Sequence, residues 1–192
     1  VEAHLLARPG EIAGGIREPL CQGASGMHFH PPSYLRALRR LCDDAGVFLI
    51  FDEVATGIFR TGEAFASNHA NVTPDLMALA KASTGGYRPG GATLCTEAIF
   101  QGFYGDDAAT FDPGPSYTGN PLATAVGAAA LKIVSDLDWQ AATAEKAAQF
   151  QGSWSKVMMG RYGVRQVRGL GFIGALTLGD LPEGWSGERA AL

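Results

Sequence analysis

Clusters of basic residues are absent from this sequence. Its 15 Lys and Arg are outnumbered by 19 Asp and Glu, a formal net charge of −4, so there is no electrostatic case for nucleic acid or an anionic membrane as partner. Cysteine is scarce too. Cys21, Cys42 and Cys95 are odd in number, far apart and without a CxxC pair, which argues against a disulfide framework and against a zinc knuckle. A reducing, cytoplasmic setting is the expectation. No apolar run approaches the ~20 residues that span a bilayer, and the opening VEAHLLARPGEIAGG lacks the basic start and apolar run of a signal peptide. The expected chain is soluble, and its 46% apolar and 18% charged residues are those of a globular protein with a core. An initiating methionine is missing as well. The chain opens in what reads as the tail of a helix, Val1 to Ala7, stopped by Pro9 and Gly10, and ends soon after a new strand pattern. It reads as part of a longer protein.

The stretch that organises the rest is 47–86, which opens VFLIFDEVATGIFRTG and closes PDLMALAKASTGG. Val47 to Phe51 is short and rich in β-branched and aromatic residues, which predicts a buried strand with Asp52 at its carboxyl end. The run Leu76 to Ala80 delivers Lys81 in the same way, 29 positions after Asp52. In open α/β sheets ligands bind at that edge. An aldehyde cofactor held by a lysine, with its ring nitrogen held by an acid, needs this pairing, and pyridoxal phosphate is such a cofactor. On spacing alone, Asp52 capping a turn and Lys81 solvated at the surface is the favoured reading, since any α/β protein has acids and lysines at strand ends.

The neighbouring residues add to the pair. DEVATGIFRTG followed by PDLMALAKASTGGY, with EPLCQGASGM (18–27) before it and GPSYTGNPLATA (114–125) after it, resembles the class III pyridoxal-phosphate aminotransferases. Within them it is most similar to the adenosylmethionine-8-amino-7-oxononanoate aminotransferases of biotin synthesis. The resemblance implies that Lys81 captures the cofactor aldehyde and then moves protons as a base. It implies that Asp52 keeps the ring nitrogen protonated and that Val54, two residues on and on the same side by strand alternation, packs against one ring face. Gly114 and Ser116 are implied to serve the phosphate of a neighbouring subunit's cofactor, hence a homodimer with shared sites. Ser116 stands where the family usually has threonine and keeps the hydroxyl. Ala55 replaces the Gln of many class III relatives, and Ala24 a Glu common among those acting on ω-amino acids. Both departures favour the biotin-pathway group, with S-adenosylmethionine as amino donor and a keto acceptor. Another class III ω-aminotransferase, a related racemase, or a truncated module that dimerises or binds cofactor without turnover are the alternatives.

The implied fold is α/β: a mostly parallel sheet with flanking helices, an incomplete large domain of fold type I, then the start of a small α+β C-terminal domain. Residues 1–138 are the second part of the large domain, and 139–192 a linking helix with the beginning of the small one. Family members are about twice as long, so the N-terminal phosphate loop, the ring-stacking aromatic and the substrate-carboxylate arginine have no counterpart in this chain.

Along the chain, Ile12 to Leu20 reads as a strand and CQGASGMHFHPP as a glycine-bearing loop. His28 and His30 could share a face as metal ligands, but no third ligand lies nearby, and a structural role is the expectation. Ser33 is the expected N-cap of a helix from Tyr34 to Ala45 that buries Leu35, Leu38, Leu41 and Cys42, turns Arg36, Arg39 and Arg40 outward and ends at Gly46. His69 reads as a structural hydrogen-bonding residue. Small residues after Lys81 would admit a ring or substrate, and ATLCT after Gly90 and Gly91 reads as an antiparallel strand. Glu97 to Phe103 reads as a short helix, and 104–120 as a polar loop. Asn120 caps a helix with Pro121 first, which puts Gly114, Ser116 and Thr118 beside a helix N-terminus suited to phosphate, or in a plain capped turn. Asp138 opens a helix to about Met159 with Trp139, Ala142, Lys146, Phe150 and Trp154 inward. The run VRQVRGLGFIGALTL reads as a strand, and the last residues, GDLPEGWSGERAAL, as frayed or cut short.

Overall fold

A computed structural model of the chain describes residues 1–105, 111, 114–161 and 163–179. Much of the polar segment after Gly105, and all of the terminal stretch beyond Gly179, lie outside the described residues.

A four-stranded sheet forms the centre. Strands β1 (Gly14–Arg17), β4 (Phe48–Asp52) and β5 (Leu76–Leu79) run parallel in that order, and β6 (Ala92–Cys95) closes the far edge antiparallel to β5. The sheet is therefore mixed and mostly parallel. The expected strand from Ile12 to Leu20 is divided: β1 ends at Arg17, and Cys21–Gln22 (β2) pairs instead with His28–Phe29 (β3) as a small antiparallel ladder. Pro19 is the physical reason, since it has no N–H for a ladder and forces the chain to turn.

Helix α1 spans Glu2–Ala7 and helix α2 Pro32–Ala45. The second buries Leu35, Leu38 and Cys42 at i, i+3 and i+7, with Leu41 half-buried at the margin. It begins earlier than the sequence reading has it. Pro31 occupies the cap with no side-chain hydrogen bond, and Pro32 is in the first turn, where its missing N–H costs nothing. Ser33 is inside the helix. Gly46 ends it in the left-handed region (φ 64), donating its N–H to the Asp43 and Cys42 carbonyls. Against this helix lie Leu49 and Phe51 of β4, both fully buried, with Leu20, Ala66, Ala70 and Val72 completing the core. Each large side chain so buried is worth about 1.5–3 kcal/mol. On the other face of β4, Phe48 is half-exposed and Ile50 partly buried.

Arg39 departs from expectation. It does not point into solvent but bonds Asp75 at 2.7 Å and Asp43 at 2.7 Å, while Asp75 also accepts the Leu49 N–H at 2.7 Å. One carboxylate thus ties α2 and β4 to the start of β5. Burial pushes the Asp75 pKa up, but the Leu49 N–H and the Arg39 guanidinium outweigh it, so the carboxyl is held below its usual range.

Helices α3 (Glu97–Gln101), α4 (Pro121–Asp136) and α5 (Trp139–Met158) follow. Asn120 Oδ1 accepts from the N–H groups of Leu122 and Ala123, and Asp138 Oδ1 from that of Ala141, so both caps act as read. The inner stripe of α5 is shifted by one: Thr143 and Ala147 are buried, with Trp139, Phe150, Gln151 and Trp154 half-buried, whereas Ala142 and Lys146 face solvent. The single strand read over 164–178 is a hairpin of β7 (Val164–Leu170) and β8 (Ile173–Leu178). Gly171 at φ 58 makes the turn that periodicity did not show. Among the described residues no helix is long and apolar enough to cross a membrane.

Candidate functional site

The parallel strands end at one edge. Arg17 closes β1 opposite Phe51, and Asp52 closes β4 opposite Ala78, which lies three residues before Lys81. The chain therefore delivers Asp52 and Lys81 to the carboxyl ends of adjacent strands, as the two apolar runs imply. Asp52 is half-buried. Its Oδ1 accepts the Val54 N–H at 3.0 Å, and among the described residues its second oxygen accepts nothing. Lys81 is exposed, and among the described residues its amine has no partner. A free amine and a half-used carboxylate suit a ligand carrying an aldehyde and a ring N–H.

Val54 reaches this edge by a different route from the one strand alternation gives. The strand stops at Asp52 and Val54 opens a turn, so the two are neighbours through the Asp52 to Val54 hydrogen bond. At Lys81 the backbone turns over with φ 43, a left-handed value rare outside glycine that costs of order 1–3 kcal/mol and recurs at functional sites. A 3₁₀ turn over Lys81–Thr84 follows, ended by Gly85 at φ 60. The small residues beyond it are used in part by the chain itself: Thr84 is buried and donates to the Arg88 carbonyl at 2.5 Å. A Cβ on Gly90 would come within 2.8 Å of Thr84 Cγ2, and one on Gly91 within 3.0 Å of the Leu79 carbonyl.

Ser116 is exposed in a turn closed by hydrogen bonds from the Thr118 N–H and hydroxyl to the Pro115 carbonyl, and Gly114, also exposed, lies just before it. Ser116 keeps its hydroxyl uncommitted among the described residues. The helix end beside it is less open to an anion than the sequence implies. Pro121 has no N–H, Asn120 Oδ1 takes those of Leu122 and Ala123, and the Asn120 carbonyl takes that of Thr124. No described hydrogen bond joins this turn to the Asp52 edge, although α4 packs on the turn that carries Lys81, where Gly127 lies against the Ser83 carbonyl.

Glu53 is the residue that sequence reasoning missed. It continues the buried face of β4 after Leu49 and Phe51, and that alternation is the signal that an acid there is enclosed. It is 1% exposed. Its Oε2 accepts from the Thr56 hydroxyl at 2.7 Å and the Ala66 N–H at 3.0 Å, and its Oε1 from the Ser67 N–H at 2.9 Å. His69 is placed as a structural residue, with Nε2 at 3.2 Å from the Thr61 carbonyl. His30 stacks on Tyr34 and lies 3.5 Å from Arg17 Nη2; burial first, then Arg17 and His28, push its pKa down. Among the described residues no group of three His, Cys, Asp or Glu could hold a metal ion. Cys21, Cys42 and Cys95 are free thiols. A hollow of about 410 Å³ between α1 and the end of α2 is lined by neither Asp52 nor Lys81.

A family model described as aminotransferase class-III matches residues 1–183. The chain belongs to the class-III aminotransferases. Among curated relatives, the adenosylmethionine-8-amino-7-oxononanoate aminotransferase of Mycobacterium leprae is 42% identical over 175 residues, covering 91% of this chain and 40% of the relative. That of Anoxybacillus flavithermus is 48% identical over 135 residues, covering 69% and 30%. A Bacillus anthracis aminotransferase of known structure superposes with a TM-score of 0.86 at 26% identity, covering 98% of this chain and 43% of that one. The ornithine aminotransferase of Toxoplasma gondii superposes at 0.78 with 30% identity, covering 93% and 40%, and is described with partial occupancy of PLP at its active site. This class-III chain thus spans well under half the length of these relatives.

Proposed function

We propose that the chain forms part of a pyridoxal-phosphate-dependent aminotransferase that moves an amino group from S-adenosylmethionine to 8-amino-7-oxononanoate, giving 7,8-diaminononanoate in biotin synthesis. The observation that carries this reading is the uncommitted Lys81 amine and Asp52 oxygen at adjacent strand ends, in a chain 42% identical to an enzyme of that name. When bound, pyridoxal phosphate supplies an aldehyde that takes up the amino group and a protonated ring that draws electrons from the substrate carbon. Lys81 would hold the group at its aldehyde carbon and, once released from it, would be the base that moves the substrate proton. Asp52 would accept the ring N–H, and a carboxylate at that position favours the protonated ring. Val54 lines one ring face. Gly114 and Ser116 reach the phosphate bound by a second copy, so the working unit is a homodimer with shared sites. In this reading residues 1–138 belong to the cofactor-binding domain and 139–192 begin a smaller one, and the setting is cytoplasmic, consistent with three free thiols.

The test is an absorbance spectrum of the chain with added pyridoxal phosphate, repeated on Lys81→Ala. A lysine-dependent band at the visible edge is expected, lost in the variant and bleached by S-adenosylmethionine. A band that survives in Lys81→Ala refutes the assignment of Lys81, and inertness to that donor refutes the substrate. The exposure of Lys81 favours one second reading, a module that binds cofactor or dimerises without turnover; bleaching by the donor rules it out.

A further inference from the structure

We propose that Glu53 is a positioning residue for the cofactor pocket, its buried carboxylate fixing the Asp52–Val54 turn; this rests on the reading of Asp52 and Val54 as cofactor contacts. Every polar group of residue 53 is committed. Its N–H donates to the Ala78 carbonyl at 2.9 Å, its carbonyl accepts the Gly57 N–H at 2.9 Å, and its carboxylate takes the three donors from Thr56, Ala66 and Ser67. The first bond fastens the residue to β5, the strand that leads to Lys81. The Gly57 and Thr56 bonds close the local turn, and those from Ala66 and Ser67 draw an excursion of 13 to 14 residues back onto the end of β4.

Space at this point is as tightly set as the hydrogen bonding. A Cβ on Gly57 would stand 2.8 Å from the Glu53 carbonyl and 3.2 Å from Leu79 Cδ2, so the turn after Val54 is packed too closely against Glu53 and Leu79 to admit a side chain there. Among the described residues no cation bonds the carboxylate; two of its three donors are backbone N–H groups, which cannot rotate away. The consequence is directional. Asp52 and Val54 flank Glu53 in the chain, so freedom at residue 53 becomes freedom of the acid and the apolar wall together. A carboxamide cannot replace the carboxylate, because either orientation of Gln sets an NH₂ against at least one of the Ala66 and Ser67 N–H donors.

The experiment uses the 192-residue chain, with pyridoxal phosphate binding followed by absorbance titration and backbone amide exchange followed without cofactor. Glu53→Gln is expected to speed exchange at Ala66 and Ser67 and to weaken binding by about tenfold or more, the effect of losing a charged hydrogen bond. Arg39→Met is the stability control, since it breaks the Arg39–Asp75 pair at the opposite edge of the sheet and is expected to leave the dissociation constant within about twofold. Equal losses of affinity in the two variants, or wild-type affinity in Glu53→Gln, overturn the positioning role. Should Glu53→Gln fail to fold, Thr56→Val keeps the carboxylate and both backbone donors; a few-fold weaker binding supports the proposal, and unchanged binding overturns it. A wild-type chain that binds no pyridoxal phosphate sinks the functional reading itself, and this inference with it.

Discussion

Replacing Gly171 by alanine tests how the hairpin is docked onto the excursion that follows Asp52. Gly171 has φ 58, and a Cβ built on it would lie 2.6 Å from both the Thr61 carbonyl oxygen and the Gly62 nitrogen. The obstacle is backbone, so no side-chain rotation relieves it. The left-handed conformation alone costs an alanine roughly 1–2 kcal/mol. Relieving the clash means drawing the turn away, which breaks the bonds from the Phe172 N–H to the Arg60 carbonyl (2.9 Å) and from Gln151 Nε2 to the Gly171 carbonyl (2.8 Å), each worth about 1 kcal/mol. The sum is roughly 3–4 kcal/mol. For a chain of this length each kcal/mol lowers the melting temperature by about 2–4 °C, so a fall of roughly 6–16 °C is expected by circular dichroism, with faster exchange of the Phe172 amide. A Gly171→Ala chain that melts within about 2 °C of wild type with that amide still protected would show the hairpin is not seated on Thr61 and Gly62.

Asp75→Ala removes the acceptor shared by Leu49 and Arg39 and is expected to cost about 2–3 kcal/mol by denaturant titration at neutral pH. The carboxyl of Asp75 is held below its ordinary range, so its contribution is complete above the unfolded value of about 3.9 and disappears as pH falls through the lower folded value. The wild-type advantage should therefore narrow in acid, and a gap that ignores pH contradicts the ion-pair account. Asn120→Ala strips the acceptor from the Leu122 and Ala123 N–H groups; a loss of about 1 kcal/mol is expected, with faster exchange of those two amides and no change in the rest of α4.

Asp52 and Lys81 are legible in the sequence because each ends a short apolar run, and a strand end is a local property. The same holds for Asn120 with Pro121 and for Gly46, where cap chemistry acts over a few residues. Glu53 was within reach, since it follows Leu49 and Phe51 on the buried face. Its donors were not, because Ala66 and Ser67 come 13 and 14 positions later and their N–H groups carry no side-chain signature. Arg39 looked like one more exposed arginine of an amphipathic helix until Asp75, 36 positions away, was folded against it. By itself the sequence determined the family resemblance, the main helices, and an acid and a lysine that each end a short strand. Only the tertiary structure decided that the Val164–Leu178 run folds back at Gly171, that Arg39 pairs with Asp75, and that the glutamate following the candidate acid is buried under donors from a distant segment. Short-range chemistry writes itself into neighbouring residues, whereas hydrogen bonds between distant backbone groups exist only once the chain has closed on itself.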